Sequence, residues 1–151
     1  MQGLQGKEKR RMKNTMIATA VSLSRKMIDE GFDTNTADMI HYHLEGVDDF
    51  GNSSHIWLLE ERDTAIEDED VIETVFAWSL TRLIELLPWM VSNDDGVVYF
   101  LRIAKTKDDS YVVQYMNEEA EEMITYIRFT NRDLVGCVWI MLMELKKKGL
   151  I

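Results

Sequence analysis

The sequence predicts an α+β protein, an antiparallel β-sheet packed against two to three helices as a single two-layer domain. Three observations predict this class. Residues 97–131 contain three segments in which apolar and polar residues alternate, as in strands that bury one face. Polar turns separate these segments. Residues 134–145 carry apolar residues at the spacing of a helix with one buried face, and residues 80–87 repeat that spacing.

The chain divides into a predicted basic flexible arm, residues 1–14, and a single α+β domain, residues 15–151. With 151 residues, it falls in the size range of one domain with a real core. The arm carries a net charge of +4. Because the whole chain carries −10, residues 15–151 carry −14. A solvated tail is the default interpretation of the arm, and a contact with phosphates or a partner is the alternative.

The first half of the domain is predicted to contain a helix, a hairpin and an acidic loop. The helix begins near Thr15 and ends at Gly31, a residue that accepts the left-handed conformation of a helix end. Residues 36–46 and 55–61 form two strands of a hairpin. Residues 60–70 are the most acidic part of the chain and are expected to form a solvated loop or hairpin tip.

The second half begins with residues 71–78, which are apolar enough to form a strand or an approach to a helix. Ser79 is the predicted cap of that helix, and Pro88 stops it. Three strands follow from Val97. For the last helix we expect Thr130 or Asn131 as the cap, Gly149 as the end, and a buried stripe made of Leu134, Val138, Met141, Leu142 and Leu145.

Composition excludes several classes of protein. The charge of −10 opposes direct nucleic-acid binding by the acidic body and binding to anionic membranes. One cysteine, Cys137, rules out an internal disulfide and fits a reducing compartment. The apolar runs are too short to span a bilayer, and no apolar targeting segment follows the basic start. We therefore expect a cytoplasmic protein, and a homo-oligomer is compatible with this composition.

His41 and His43 are the sharpest candidates for chemistry. An H-x-H pair on a strand directs both imidazoles to one face, as a metal site requires. A third ligand is also needed, and only a remote residue such as Asp48 or His55 would supply it, if the loop folds back. The alternative is two structural or incidental histidines. We expect no bound metal and no cofactor.

Nucleophilic catalysis has little support in the sequence. Cys137 lies in the apolar helix, where a thiol is usually inert. No nucleophile elbow, phosphate-binding loop or dinucleotide fingerprint is present. The acidic run instead offers a surface for a basic partner, with the candidate partner-binding residues Glu67, Asp68, Glu69 and Asp70.

Three segments carry a resemblance to other proteins: residues 36–43, 78–88 and 134–151. The sequence resembles a group of small uncharacterised proteins of Bacteroides-type gut bacteria and their prophages or mobile elements. In that group an N-terminal helix leads into a T-A-D-M segment, followed by a W-S-L helix, strands and a terminal helix. The resemblance implies a genomic setting and a fold but no mechanism.

The sequence therefore predicts a non-enzymatic accessory protein, related to phages or mobile elements, that acts through protein–protein interaction. One alternative is an acidic inhibitor or nucleic-acid mimic that occupies a basic groove. Another is a metal-dependent enzyme that uses His41 and His43.

Overall fold

The structure, a computed structural model, describes residues 17–64, 70–119 and 122–151. The α+β class, with antiparallel strands and helices, is confirmed. The strands are divided between a three-stranded and a four-stranded sheet, whereas the sequence predicted one sheet. The chain divides after Arg82 into two compact units. In order the elements are α1 (Val21–Asp29), a 3-10 turn (Thr34–Thr36), β1 (Met39–Val47), β2 (Ser53–Glu61), β3 (Val71–Ala77), α2 (Leu80–Leu86), β4 (Met90–Ser92), β5 (Val98–Lys105), β6 (Tyr111–Glu119), β7 (Glu122–Asn131) and α3 (Leu134–Lys147).

In the first unit, β1 is the central strand of the sheet, with the order β2-β1-β3. Both neighbours run antiparallel to it. The predicted hairpin is confirmed as β1 and β2, joined by a turn in which the Asp48 carboxylate accepts the backbone N–H groups of Phe50 (2.9 Å) and Asn52 (2.8 Å). Helix α1 packs against β3, and Ala18, Leu59 and Ala77 form a buried apolar cluster.

The start of the first helix differs from its prediction. Helix α1 begins at Val21, because residues 17–19 are extended and pair with another segment of the chain instead. Ala18 forms a bridge with Ser79, and the Thr19 N–H donates to the Trp78 carbonyl at 2.9 Å. The end is as predicted: Gly31 has φ +86°.

The acidic segment is not a hairpin tip, and that part of the prediction is wrong. Strand β3 pairs with β1 rather than with β2. The end of β2, Glu61, lies opposite Met39, and the start of β3, Val71, lies opposite Leu44. Residues 62–70 therefore connect two strands that run in the same direction on either side of β1. Residues 65–69 lie outside the described part of the chain.

Helix α2 follows β3 and carries the predicted cap. The Ser79 hydroxyl oxygen accepts the Arg82 N–H at 3.2 Å, and the helix ends two residues before Pro88. The buried side chains Leu83 and Leu87 confirm two positions of its predicted apolar stripe.

In the second unit the strand order is β4-β5-β6-β7, with every neighbouring pair antiparallel. The three strands predicted from Val97 are confirmed as β5, β6 and β7. Strand β4 is an addition, a three-residue strand where the sequence suggested only a connection. Asn93 shapes the β4–β5 turn, since its side-chain oxygen accepts the N–H groups of Asp95 (3.1 Å) and Val97 (2.9 Å).

Helix α3 packs on β6 and β7 and buries most of its predicted stripe. Val138, Met141, Leu142 and Leu145 are all 0% exposed, and Leu134 is half-buried. The cap is Asp133 rather than Thr130 or Asn131: its carboxylate accepts the N–H groups of Val135 (3.2 Å) and Gly136 (3.1 Å). As predicted, the helix ends at Gly149, which has φ +69°.

Candidate functional site

His41 and His43 share one face of β1, as the alternation of side chains in a strand predicts. His41 is 7% exposed, and its Nε2 donates to the Thr19 carbonyl at 2.7 Å. The Thr19 hydroxyl is also held, because it accepts the Trp78 N–H at 3.1 Å and bonds the Ser24 hydroxyl at 2.7 Å. His41 is thus part of a buried polar network that ties β1 to the chain before α1.

The pKa of His41 is lowered from its ordinary value. Burial has the larger effect, because it disfavours the charged imidazolium, and the hydrogen bond to Thr19 acts in the opposite direction. A neutral imidazole with Nε2–H directed at a carbonyl is a structural group. This geometry does not favour a metal site built on His41 together with His43.

His43 lies at the centre of a second cluster, which we call the His43 cluster: Arg25, His43, His55, Trp57 and Glu73. In the sheet register His43 lies opposite Trp57 on β2 and opposite Glu73 on β3. The His43 and Trp57 rings are stacked, with centroids 4.4 Å apart and planes inclined by 14°. His43 Nε2 lies 3.1 Å from His55 Nδ1. The other nitrogen, Nδ1, is buried without a hydrogen-bond partner and faces Glu73 Oε2 at 3.7 Å.

Arg25 on α1 fixes the carboxylate end of the cluster. It forms an ion pair with Glu73, and its guanidinium lies 5.8 Å from the centroid of the Trp57 ring. The pKa of Glu73 is lowered, first by the hydrogen bond from Arg25 and then by the Arg25 charge, with a smaller effect of His43. Glu73 is therefore ionised at neutral pH beside the imidazole of His43.

The cluster includes one of the two remote residues that the sequence suggested. His55 comes beside His43 through the hairpin register, in which it lies opposite Glu45, and not through folding of the loop. Asp48 instead holds the turn, and hydrogen bonds from Asn52 and Phe50 lower its pKa. Across residues 17–64, 70–119 and 122–151, no group of three or more His, Cys, Asp or Glu side chains is arranged to hold a metal ion.

The remaining candidates have simple environments. Cys137 is buried, and burial raises the pKa of its thiol. Of the four acidic candidates, Glu67, Asp68 and Glu69 lie outside the described residues. Asp70 is exposed, and its carbonyl accepts the Glu45 N–H at 3.1 Å.

An exposed apolar surface on the β4–β5 hairpin was missed by sequence reasoning. We call it the Trp89 patch: Trp89, Met90 and Phe100, which are 68%, 43% and 46% exposed. The rings of Trp89 and Phe100 lie 5.7 Å apart, and Met90 lies opposite Phe100 in the register. The available signal was a Trp–Met pair directly after the only proline, in a segment too short to show a strand period.

The hairpin that carries the patch has an acidic turn. Asp94 and Asp95 are exposed in the turn that joins β4 to β5. Strand β4 is also the edge strand of its sheet. The Trp89 carbonyl accepts the Leu101 N–H of β5, and the Asn93 N–H donates to the Val97 carbonyl just before β5. Alternation along the ladder therefore turns the backbone groups of Met90 and Ser92 away from β5.

Comparison with known proteins gives no relative: no family model, no curated protein and no solved structure matches this chain. In the part of the chain that the structure describes, none of the helices is long and apolar enough to cross a membrane.

Proposed function

We propose that the protein is a non-enzymatic accessory protein that binds another protein through the Trp89 patch. The observation that carries this proposal is the exposure of Trp89, 68%, in contact with a second exposed aromatic ring, Phe100. Scattered apolar residues on a surface are ordinary, but three large ones side by side support an interaction surface at this position.

The patch has the features of an interface anchor. Trp is the residue type most enriched among those that dominate binding energy, and it loses few rotatable bonds when it is ordered. The patch is also rigidly supported, because Phe100 is in the ladder with Met116 and the Trp89 carbonyl accepts the Leu101 N–H at 2.9 Å. A partner would therefore meet a preformed surface.

Charge indicates the chemistry of the partner. The chain carries a net charge of −10, and the exposed carboxylates of Asp94 and Asp95 lie in the turn of the hairpin that carries the patch. A protein surface with an apolar pocket and a basic rim is complementary to this arrangement. A cytoplasmic location and a phage or mobile-element setting, which rest on composition and on the resemblance described above, belong to the same proposal.

The test uses two matched variants of exposed aromatic residues. Trp89→Ala removes the anchor of the patch, and Phe50→Ala removes a Phe that is 90% exposed in the turn between β1 and β2. The tagged full chain and both variants are used to capture proteins from the native host. A protein retained by the parent and by Phe50→Ala but lost with Trp89→Ala is then purified, and its binding is measured directly.

The purified pair should bind one to one, and Trp89→Ala should weaken it by about 30-fold or more, the effect of losing an interface hot spot of about 2 kcal/mol. Asp94→Asn with Asp95→Asn should slow association. The proposal is wrong if every captured protein is retained equally by Trp89→Ala and Phe50→Ala.

A further inference from the structure

We propose that a divalent transition-metal ion of the zinc or copper type binds between His43 Nε2 and His55 Nδ1, with Glu73 orienting His43 from behind. Imidazole nitrogens suit these ions. The site is distinct from the predicted pair His41 and His43, because only one of those two histidines contributes a ligand.

The distance between the two nitrogens supports this site. His43 Nε2 and His55 Nδ1 are 3.1 Å apart. Metal–imidazole bonds are about 2.0–2.1 Å long, so two of them meeting at about 90–110° place their nitrogens about 2.9–3.4 Å apart. Without the ion, the same distance is a hydrogen bond in which one ring donates to the other. The ion would replace that shared proton, with the two rings turned so that their lone pairs converge on the ion rather than on each other.

Proton positions are consistent with this exchange. One arrangement of protons satisfies both contacts of His43: His55 donates from Nδ1 to His43 Nε2, and His43 carries its proton on Nδ1, which faces Glu73. When the ion binds, the His55 proton moves from Nδ1 to Nε2 through solvent, and His43 keeps its tautomer. Each ring then offers one lone pair to the ion.

Glu73 occupies the place of an orienting carboxylate. Metal-binding histidines usually direct their second ring nitrogen at a carboxylate or carbonyl, which fixes the ring and raises its basicity. His43 Nδ1 is buried, has no other hydrogen-bond partner and faces Glu73 Oε2 at 3.7 Å. Glu73 lies on the opposite side of the ring from Nε2, so it positions His43 and does not itself contact the ion.

The rest of the cluster holds His43 in place and leaves the ion accessible. Trp57 stacks on the His43 ring at 4.4 Å, and Arg25 lies over Trp57 and pairs with Glu73. His55 is exposed, so water would fill the remaining coordination positions. Two protein ligands are fewer than the three or four of a resident zinc site, so the ion would exchange readily with solution.

The test starts with the full chain freed of metal by a chelator and titrated with zinc chloride by calorimetry. We expect one ion per chain. His43→Gln and His55→Gln should each weaken binding at least about tenfold, and Glu73→Gln should weaken it about 10–100-fold. His41→Gln is the matched control, since the chain has three histidines and His41 Nε2 is bound to Thr19. Its affinity should equal that of the parent.

A second readout uses copper and the stacked indole. Cu²⁺ at His43 should quench the fluorescence of Trp57, and Trp57→Phe should remove that quenching while zinc binding persists. Because His55 is exposed, His55→Gln is expected to fold, so it decides the question even if His41→Gln or His43→Gln is unstable. Zinc binding with unchanged affinity in His55→Gln, or the absence of saturable binding in the parent, overturns the proposal.

Discussion

Two histidines that are two residues apart on β1 have different roles, and neighbours from other segments make the difference. His41 meets the carbonyl of Thr19, and His43 meets His55 and Glu73. The sequence could place both on one face because side chains alternate along a strand. It could not supply the register, since a slip of one residue in the hairpin would turn His55 to the other face.

The first prediction concerns the pH dependence of stability through His41. Burial holds its folded pKa below the ordinary value of 6.5, so the unfolded chain binds this proton more readily than the folded chain. The stabilisation is therefore complete above about pH 6.5 and is lost as the pH falls toward the lower folded pKa. Urea unfolding should show a stability loss between about pH 7.5 and 5.5 that is smaller in His41→Gln.

The Gln variant is the appropriate comparison because its amide N–H can still donate to the Thr19 carbonyl. The substitution leaves every other titratable group in place, so the contribution of those groups cancels in the difference. Equal pH dependence in the parent and the variant would show that His41 is not held neutral by burial.

At the scale of elements, α3 was predicted best because its apolar periodicity, the lysines in its last turn and Gly149 all agree. Its cap was placed wrongly for a physical reason. Thr130, Asn131 and Asp133 are all capable caps. Strand β7 continues through Asn131, with Thr130 opposite Val112 and Asn131 opposite Tyr111. Thr130 and Asn131 are therefore part of strand β7, and Asp133 is the residue that caps the helix.

The second prediction tests the buried face of α3. Leu142 is 0% exposed, and the helix packs on β6 and β7. Leu142→Ala should lower the unfolding free energy by about 2–5 kcal/mol, since it removes buried methyl groups and leaves a cavity. Lys147→Ala, at an exposed position of the same helix, is the control and should change the unfolding free energy by less than about 0.5 kcal/mol. If Leu142→Ala lowers the unfolding free energy no more than this control does, α3 does not bury Leu142 against the sheet.

The third prediction tests the cap itself. Asp133→Ala leaves the N–H groups of Val135 and Gly136 without their acceptor and should cost about 0.5–2 kcal/mol in unfolding free energy. Asp133→Ser should recover part of the loss, because its hydroxyl can accept one of these bonds. Thr130→Ala should cost less than Asp133→Ala. If thermal or urea unfolding shows that Thr130→Ala costs more than Asp133→Ala, then Thr130 is the cap.

At the scale of the whole molecule, sequence reasoning found most strands but not their partners. Alternation predicted β1 and β2 as a hairpin, and a short turn made their pairing local. Strand β3 pairs with β1 across residues 48–70, and no periodicity within a strand encodes such a choice. The Trp89 patch was missed because it depends on β4, whose three residues show no period.

Charge also acts at this scale. It affects how fast two partners associate, whereas apolar contacts affect how long the complex lasts. The net charge of −10 creates a field that draws a basic partner, whereas the apolar contacts of the Trp89 patch act only after contact. Screening limits this field to about 8 Å at physiological salt, so carboxylates near the interface matter most. Variants that neutralise these carboxylates should therefore change the association rate, and Trp89→Ala should change the dissociation rate.

The fourth prediction compares the two acidic segments and the basic arm in binding to a purified partner. Neutral amides at Glu67, Asp68, Glu69 and Asp70 should slow association and flatten its dependence on salt, as should Asp94→Asn with Asp95→Asn. Deleting residues 1–14 removes a net charge of +4 and should leave association with a basic partner intact. Association rates measured at several salt concentrations distinguish these cases. If the deletion abolishes binding while both amide variants bind as the parent does, the arm is the contact, because only a direct role for its lysines and arginines would make a repulsive segment necessary.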